Sequence, residues 1–396
     1  MGITRANYQY VLTDTGMNAF LPAWNGTREL LMKGWSPYSD ATLQETQKLA
    51  YGRPASQGEE QGLFLYPFYA TLIFAPFGLF ADFAVARALW MTILELALAG
   101  TVGMGINLLG WRLSRWLQMI LLVLALVWYF SIRALLDGDA VILSTFFITA
   151  AFLAIRTDHD ALAGFLWVLA STQGGVMPLV TLFLIVWAVS NQRWSLVMGL
   201  LLNAVFLVAV TSLLLPDWAM QWVRQVVAYT KSAFLLTPGS LLFYWLPGVG
   251  RQLGQGLMAV MAGLLVWEWR DAWGKDFRWF LWTAYLTLTV TGLIGMPTSL
   301  KNYVVMLPAL ILVLATWYAR WGRLGTFLMI ISLMVLSFGI WAISIGAVRS
   351  DAPLELNPGL FFFFPIFLLV GLYWVRRWAI RPQHLFMDNL NRRLGG

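Results

Sequence analysis

Lys301-Asn302-Tyr303 places a cation, an amide and a phenol in successive positions at the start of an apolar run. A helix N-terminus attracts anions, and Lys301 adds a full charge, so this is a candidate site for a phosphate group. Arg133 stands with Asp137 and Asp139 at a turn between two apolar runs, where an Arg–Asp pair is expected to be structural. Arg224 and Lys231 share a segment with Trp218, Trp222 and Tyr229. Sugars stack on aromatic faces, so that segment is a candidate for sugar recognition. The plainer reading is an interfacial amphipathic helix. Near the front lie Trp24, Arg28, Glu29 and Tyr38, and Tyr66 precedes Pro67 at the opening of the first hydrophobic run. Aromatic residues at a membrane interface are usually anchors, so each of these is weighed against that role.

The elements that must position them are set by a contrast in composition. Residues 1–62 are polar, charged and turn-rich, and 63–396 are almost all membrane-grade apolar sequence. The chain is 60% hydrophobic and 11% charged, with mean hydropathy +0.71. A soluble protein carries roughly 25% charged residues. The fold class expected is an all-α polytopic membrane bundle. A net charge of +7 does not imply nucleic acid as a partner, because the arginines sit at the ends of apolar runs, where they set topology. The absence of cysteine excludes disulfides and thiolate metal sites. Two histidines, His159 and His384, exclude a His-rich metal cluster. A polar segment at the front of a lipid-facing scaffold points to a substrate that is itself half lipid and half polar.

Apolar runs of spanning length are expected at about 84–108, 116–132, 139–155, 194–214, 252–269, 277–295, 302–318, 325–346 and 358–375. Residues 63–82 contain Pro67 and Pro76, and 161–189 contain Thr172, Gln173, Gly174, Gly175 and Pro178. Both are read as broken or re-entrant helix pairs, which only surrounding protein or a watery cavity can satisfy. With that choice one face collects Arg112, Arg115, Arg156, Arg193, Arg270, Lys275, Arg320, Arg323, Arg376, Arg377, Arg381, Arg392 and Arg393. The positive-inside rule makes that face cytoplasmic, with the basic tail 376–396. The first segment and a long loop at about 216–251 then lie outside. In the first segment Trp24 to Lys33 fits a short amphipathic helix with Gly34 as its C-cap. A second helix is expected to start with Asp40 as N-cap. Glu95 inside a span invites a functional role or a partner on a neighbouring helix. Glu268 is expected to pair with Arg270, and His159 to be a loop residue.

The order of short motifs carries a resemblance. Asn18-x-Phe-Leu-x-x-Trp24 is followed by Gly34-x-Ser-Pro-Tyr38-Ser, by Tyr51-Gly-Arg-Pro54, and by Tyr66-Pro67 opening a hydrophobic run with Pro76 and Ala86–Trp90 inside it. Leu136-Asp-Gly-Asp139, Asp160-Ala-Leu-Ala-Gly164, Pro216-Asp-Trp218 with Tyr229, and Thr298-Ser-Leu-Lys-Asn-Tyr303 continue the series. Together they resemble glycosyltransferase family 87, membrane enzymes of the GT-C class that use polyprenyl-phosphate sugars. The resemblance implies a bacterial-type plasma membrane and an active face on the extracytoplasmic side. It implies transfer of a mannose-like hexose or a pentose from a polyprenyl-phosphate donor to a lipid or glycan acceptor hydroxyl, with inversion and without a cofactor or metal. A carboxylate in the first external loop would act as general base. Lys301, Asn302, Tyr303, Arg133, Tyr66 and Gln173 would bind the donor phosphate or sugar. Trp24, Arg28, Tyr38, Trp218, Arg224 and Tyr229 would form the acceptor loops.

This chain departs from the pattern at three places. Similar sequences carry an aspartate directly after Asn18, where this chain has Ala19. Alanine cannot take a proton, so either the chain is inactivated, or the base lies elsewhere, or the protein is not catalytic. Asp14 is the nearest alternative carboxylate. About a dozen residues precede Asp14 and are not apolar enough to span, so the first loop is expected to lack one of its two anchors. Family members resemble Lys-Pro where this chain has Thr172-Gln-Gly-Gly175, which removes a cation. The competing functions are a transporter, a surface-polysaccharide polymerase, and a non-catalytic binder of lipid-linked sugar. No internal repeat supports a transporter.

Overall fold

The computed structural model describes residues 2–14, 16–56, 58–172, 174–232, 236–348 and 356–381. The apolar runs expected from the sequence are helical, one of them broken in two, and the chain is an all-α polytopic membrane protein. Helices long and apolar enough to cross a bilayer are Phe83–Leu108, Trp194–Leu214, Leu300–Trp321, Arg323–Val348 and Pro358–Ile380. Shorter helices pack among them, and their threonines return hydroxyls to carbonyls one turn back. Thr145, Thr149, Thr287 and Thr289 are buried in this way, each group satisfied without a partner helix. The buried hydroxyl of Thr283, by contrast, has no partner among the described residues.

Helix α1 (Gly2–Thr13) lies antiparallel to α5 (Phe83–Leu108). Asn7 Nδ2 donates to Glu95 Oε2 at 3.2 Å and to Thr92 Oγ1 at 3.2 Å. Glu95 therefore has its partner on a neighbouring helix. At twelve residues α1 is about 18 Å long, too short to span, yet it anchors the first segment to the bundle. This corrects the expectation of a first loop held at one side only. Helices α2 (Phe20–Lys33) and α3 (Asp40–Tyr51) follow. Gly34 caps α2 with φ 69°, as expected. The N-cap of α3 is Ser39, whose hydroxyl accepts from the Thr42 N–H, and not Asp40.

Residues Phe68–Ala70 form a 3-10 turn that leads into α4 (Thr71–Gly78), packed along α2. This is one short capping element and not the broken pair expected over 63–82. The sharp break lies elsewhere. Helices α6 (Arg115–Val127) and α7 (Tyr129–Asp137) meet at 56° across Trp128, inside what the sequence offers as a plain span. The carbonyl of Val127 freed by this bend accepts the indole N–H of Trp341 at 3.2 Å.

Helix α8 (Val141–Arg156) returns to the far end, and α9 (Asp160–Ala170) rises from it. After the 171–176 turn, α10 (Met177–Ser190) descends again, and α11 (Trp194–Leu214) rises. Arg193, at the foot of α11, pairs with Asp158 at 2.6 Å and Asp160 at 2.8 Å, at the foot of α9. The α9–α10 hairpin thus enters and leaves at one end, as expected of a re-entrant pair. Helices α12 (Trp218–Ser232) and α13 (Pro238–Trp245) fill the long loop, and α14 (Gly250–Asp271), α15 (Phe277–Val290) and α16 (Leu307–Trp321) continue the bundle. Helix α17 (Arg323–Met334) passes through a π-helical turn at Val335–Gly339 into α18 (Ile340–Val348). The last helix is α19 (Pro358–Ile380). At the far end Glu268 pairs with Arg376 at 2.7 Å and accepts from the Tyr373 hydroxyl, so its partner is not Arg270. His159 is an exposed loop residue beside Thr157.

Candidate functional site

The site forms where distant polar residues converge at one end of the bundle. The α7–α8 turn, Leu136-Asp-Gly-Asp139, is its centre. Gly138 caps α7 at φ 67°, and a Cβ there would stand 2.8 Å from Phe20 Cβ, so the turn lies flush on the start of α2. The indole of Trp90 donates to the Gly138 carbonyl at 2.8 Å. Arg87 is fully buried and donates to the Leu136 carbonyl at 2.6 Å and to the carbonyl and carboxylate of Asp14, both at 2.7 Å. One guanidinium therefore ties the end of α1, the start of α5 and the α7–α8 turn together. Phe20 stacks on Trp90 at 5.4 Å, and Phe74, Phe77 and Phe83 surround it.

Ala19 meets this turn through its backbone. Its N–H donates to the Asp137 carboxylate and carbonyl oxygens, each at 3.0 Å. Lys301 bridges Asp137 and Asp139, with 2.9 Å to Asp139. Asp139 also accepts from the Val141 N–H at 2.9 Å, and its side chain is only 6% exposed. Asp137 and Lys301 are more open, at 29% and 28%. Counting these groups as ionised, the trio carries one positive and two negative charges. Lys301 is therefore not a free anion site. Its segment begins as a 3-10 turn, Leu300–Met306, and not as the α-helix start expected. The expected Arg133–Asp pair is also absent. Arg133 is exposed on α7, one turn before Asp137, and its side chain carries no hydrogen bond or ion pair among the described residues.

The other candidate residues separate into neighbours and anchors. Asn302 Nδ2 donates to Thr298 at 3.3 Å and faces Gly175 at the tip of the re-entrant hairpin. Thr172 at that tip lies 3.5 Å from Ser144, and Gln173 lies outside the described residues. Tyr66 is buried within electrostatic reach of the cluster. Burial first, and then the charge of Asp139, push its phenol well above the ordinary tyrosine range. Tyr303 is spent on structure, its hydroxyl donating to the Phe361 carbonyl at 2.8 Å. Asp14 is likewise committed, accepting from Arg87 and from the Tyr10 hydroxyl at 3.0 Å.

The acceptor-loop candidates are mostly anchors. Trp24 is 3% exposed and its indole donates to the Phe77 carbonyl at 3.1 Å, so it offers no open face to a sugar. Arg28 donates to the Gly78 and Phe80 carbonyls. Tyr38 is buried with its hydroxyl on the Tyr66 carbonyl at 2.8 Å, and it fixes the backbone of Tyr66. Trp218 is 5% exposed and stacks on Phe68. Helix α12 docks through Gln221 on Ser36, Trp222 on the Leu65 carbonyl and Gln225 on the Tyr38 carbonyl. Arg224 lies on its outward face, and Tyr229 is half-buried.

Sequence reasoning missed Arg87 and undervalued Asp137. A lone arginine one turn inside an apolar run was the available signal for Arg87. An apolar groove of about 500 Å³ runs along α19 from Pro358 to Trp374, and no residue of the polar cluster lines it. No group of three or more metal-ligating side chains occurs among the described residues. Comparison with protein-family models, with curated proteins and with solved structures finds no match.

Proposed function

We propose that this chain is a membrane glycosyltransferase that moves a sugar from a polyprenyl-phosphate donor to an acceptor hydroxyl at the extracytoplasmic end of the bundle. The observation that carries the reading is the meeting of residue 19 with Asp137, Asp139 and Lys301. The resemblance expects the proton acceptor at position 19. That position is hydrogen-bonded to the Asp137 carboxylate, which also holds Lys301, 164 residues further along the chain than Asp137. A polar cluster at a bundle end suits a donor whose lipid lies in the bilayer while its sugar phosphate reaches water. Arg133, exposed one turn before Asp137, is the cation placed to meet the phosphate, while Lys301 organises the two carboxylates. The chemistry asked of the protein is proton removal and stabilisation of a leaving phosphate.

The methyl group at position 19 favours a second reading, a protein that binds lipid-linked sugar without transferring it. Both are tested by transfer from radiolabelled polyprenyl-phosphate hexose and pentose donors in native-like membranes, comparing this chain with Ala19→Asp. Transfer by either form supports the enzyme. Donor binding without transfer in both supports the binder, and neither binding nor transfer removes both readings.

A further inference from the structure

We propose that Asp137 takes the acceptor's proton in this chain, in the place of the side chain that Ala19 lacks; this rests on the glycosyltransferase reading above. Three observations select it. The Ala19 N–H donates to Asp137 Oδ1 at 3.0 Å, so the carboxylate and position 19 are immediate neighbours. Of the two aspartates on the turn, Asp139 is 6% exposed and held by Val141 and Lys301, whereas Asp137 is 29% exposed. The third carboxylate nearby, Asp14, is 43% exposed, but it is turned to the buried Arg87 guanidinium and to Tyr10 and not to position 19. Asp137 thus combines access to a substrate hydroxyl with a direct bond to position 19.

Its placement is rigid. Arg87 holds the carbonyl of Leu136 on one side and Trp90 holds that of Gly138 on the other. A proton acceptor must be fixed to within a fraction of an ångström, and these bonds fix the backbone on both flanks. Arg87 is accordingly a positioning residue. Lys301 bridges Asp137 and Asp139 and offsets one of their two negative charges.

The step balances without a further reagent. The acceptor oxygen forms a bond to the anomeric carbon as its hydroxyl proton passes to Asp137. The bond from that carbon to the phosphate oxygen breaks, and its electron pair leaves on the phosphate. Arg133 meets the charge that develops there.

The test measures transfer from the same labelled donors to alkyl glycosides by this chain, Asp137→Asn, Asp137→Glu, Ala19→Asp and the Ala19→Asp/Asp137→Asn pair. Asp137→Asn is expected to lower kcat about 10²–10⁴-fold. KM for the donor should stay nearly unchanged, and the acid limb of the pH–rate profile should vanish. The double variant is expected to regain rate and limb together. Asp137→Glu keeps the acid and displaces it, so it should retain the limb at reduced kcat, which guards against misfolding of the asparagine form. A kcat for Asp137→Asn within a few-fold of this chain overturns the inference. So does a silent parent chain beside an active Ala19→Asp, an outcome that leaves the glycosyltransferase reading standing. Silence in every form removes both.

Discussion

At the scale of single residues, Arg87 carries more of the site than any group the sequence singles out. Its side chain is fully buried, and its partners lie 73 and 49 residues away. Breaking a buried pair by removing one member typically costs about 3–5 kcal/mol, less here because Asp14 is 43% exposed. Arg87→Gln is expected to destabilise by about 2–4 kcal/mol and Asp14→Asn by about 1–2 kcal/mol, read from thermal unfolding in detergent. Trp24→Phe removes one buried donor and should cost about 1 kcal/mol without weakening donor binding. An outcome in the opposite sense, stability kept and binding lost, would restore Trp24 as a sugar platform. Lys301, Asn302 and Tyr66, singled out in the sequence, do lie at or beside the polar cluster. What the sequence could not separate was contact from anchorage. Tyr303 and Trp24 have the chemistry of binding residues, and only the distant carbonyls of Phe361 and Phe77 show where their donors go.

At the scale of elements, two close approaches set the geometry. Gly138 needs its positive φ and has Phe20 against the place a Cβ would fill, so Gly138→Ala is expected to cost about 1–3 kcal/mol. Gly164 on α9 would carry a Cβ only 2.4 Å from the Leu200 backbone of α11. Gly164→Val should therefore loosen the re-entrant hairpin, seen as faster amide exchange across α9. On the first segment Glu59 is held by Arg53 at 2.7 Å, and that hydrogen bond above all lowers its pKa to about 2. A depressed carboxylate adds order above its ordinary pKa near 4.5 and loses it as pH falls toward 2. Protease cleavage between residues 53 and 61 should thus accelerate as pH drops through that window, and a flat profile would count against the pair. The sequence signalled the hairpin, because Gly174, Gly175 and Pro178 interrupt an apolar run. It gave no sign of the bend at Trp128, where no glycine or proline occurs. The carbonyl that the bend frees is met by the indole of Trp341, 214 residues on, a partner that no local pattern reveals.

At the scale of the whole molecule, alternating helices carry the polar cluster to one end and the Arg193 and Arg376 ion pairs to the other. The chain has no cysteine, so single cysteines report sidedness without background. Ser56→Cys is expected to react with a membrane-impermeant thiol reagent from outside, and Asp158→Cys and Asn191→Cys from inside. Opposite labelling of the last two would show that α9 and α10 together cross the bilayer. Their agreement has a consequence for how the protein is made. Helices α9 and α10 are eleven and fourteen residues long, about 17 and 21 Å, against a hydrocarbon core of about 30 Å. Neither can leave the translocon for lipid as a finished span. Helix α9 is sheltered by α8, made before it, and by α11, made directly after the hairpin, but α10 packs mainly on α15, which begins some ninety residues beyond its end. Biogenesis must therefore hold residues 177–190 back, beside the insertion machinery, until α15 arrives to enclose them.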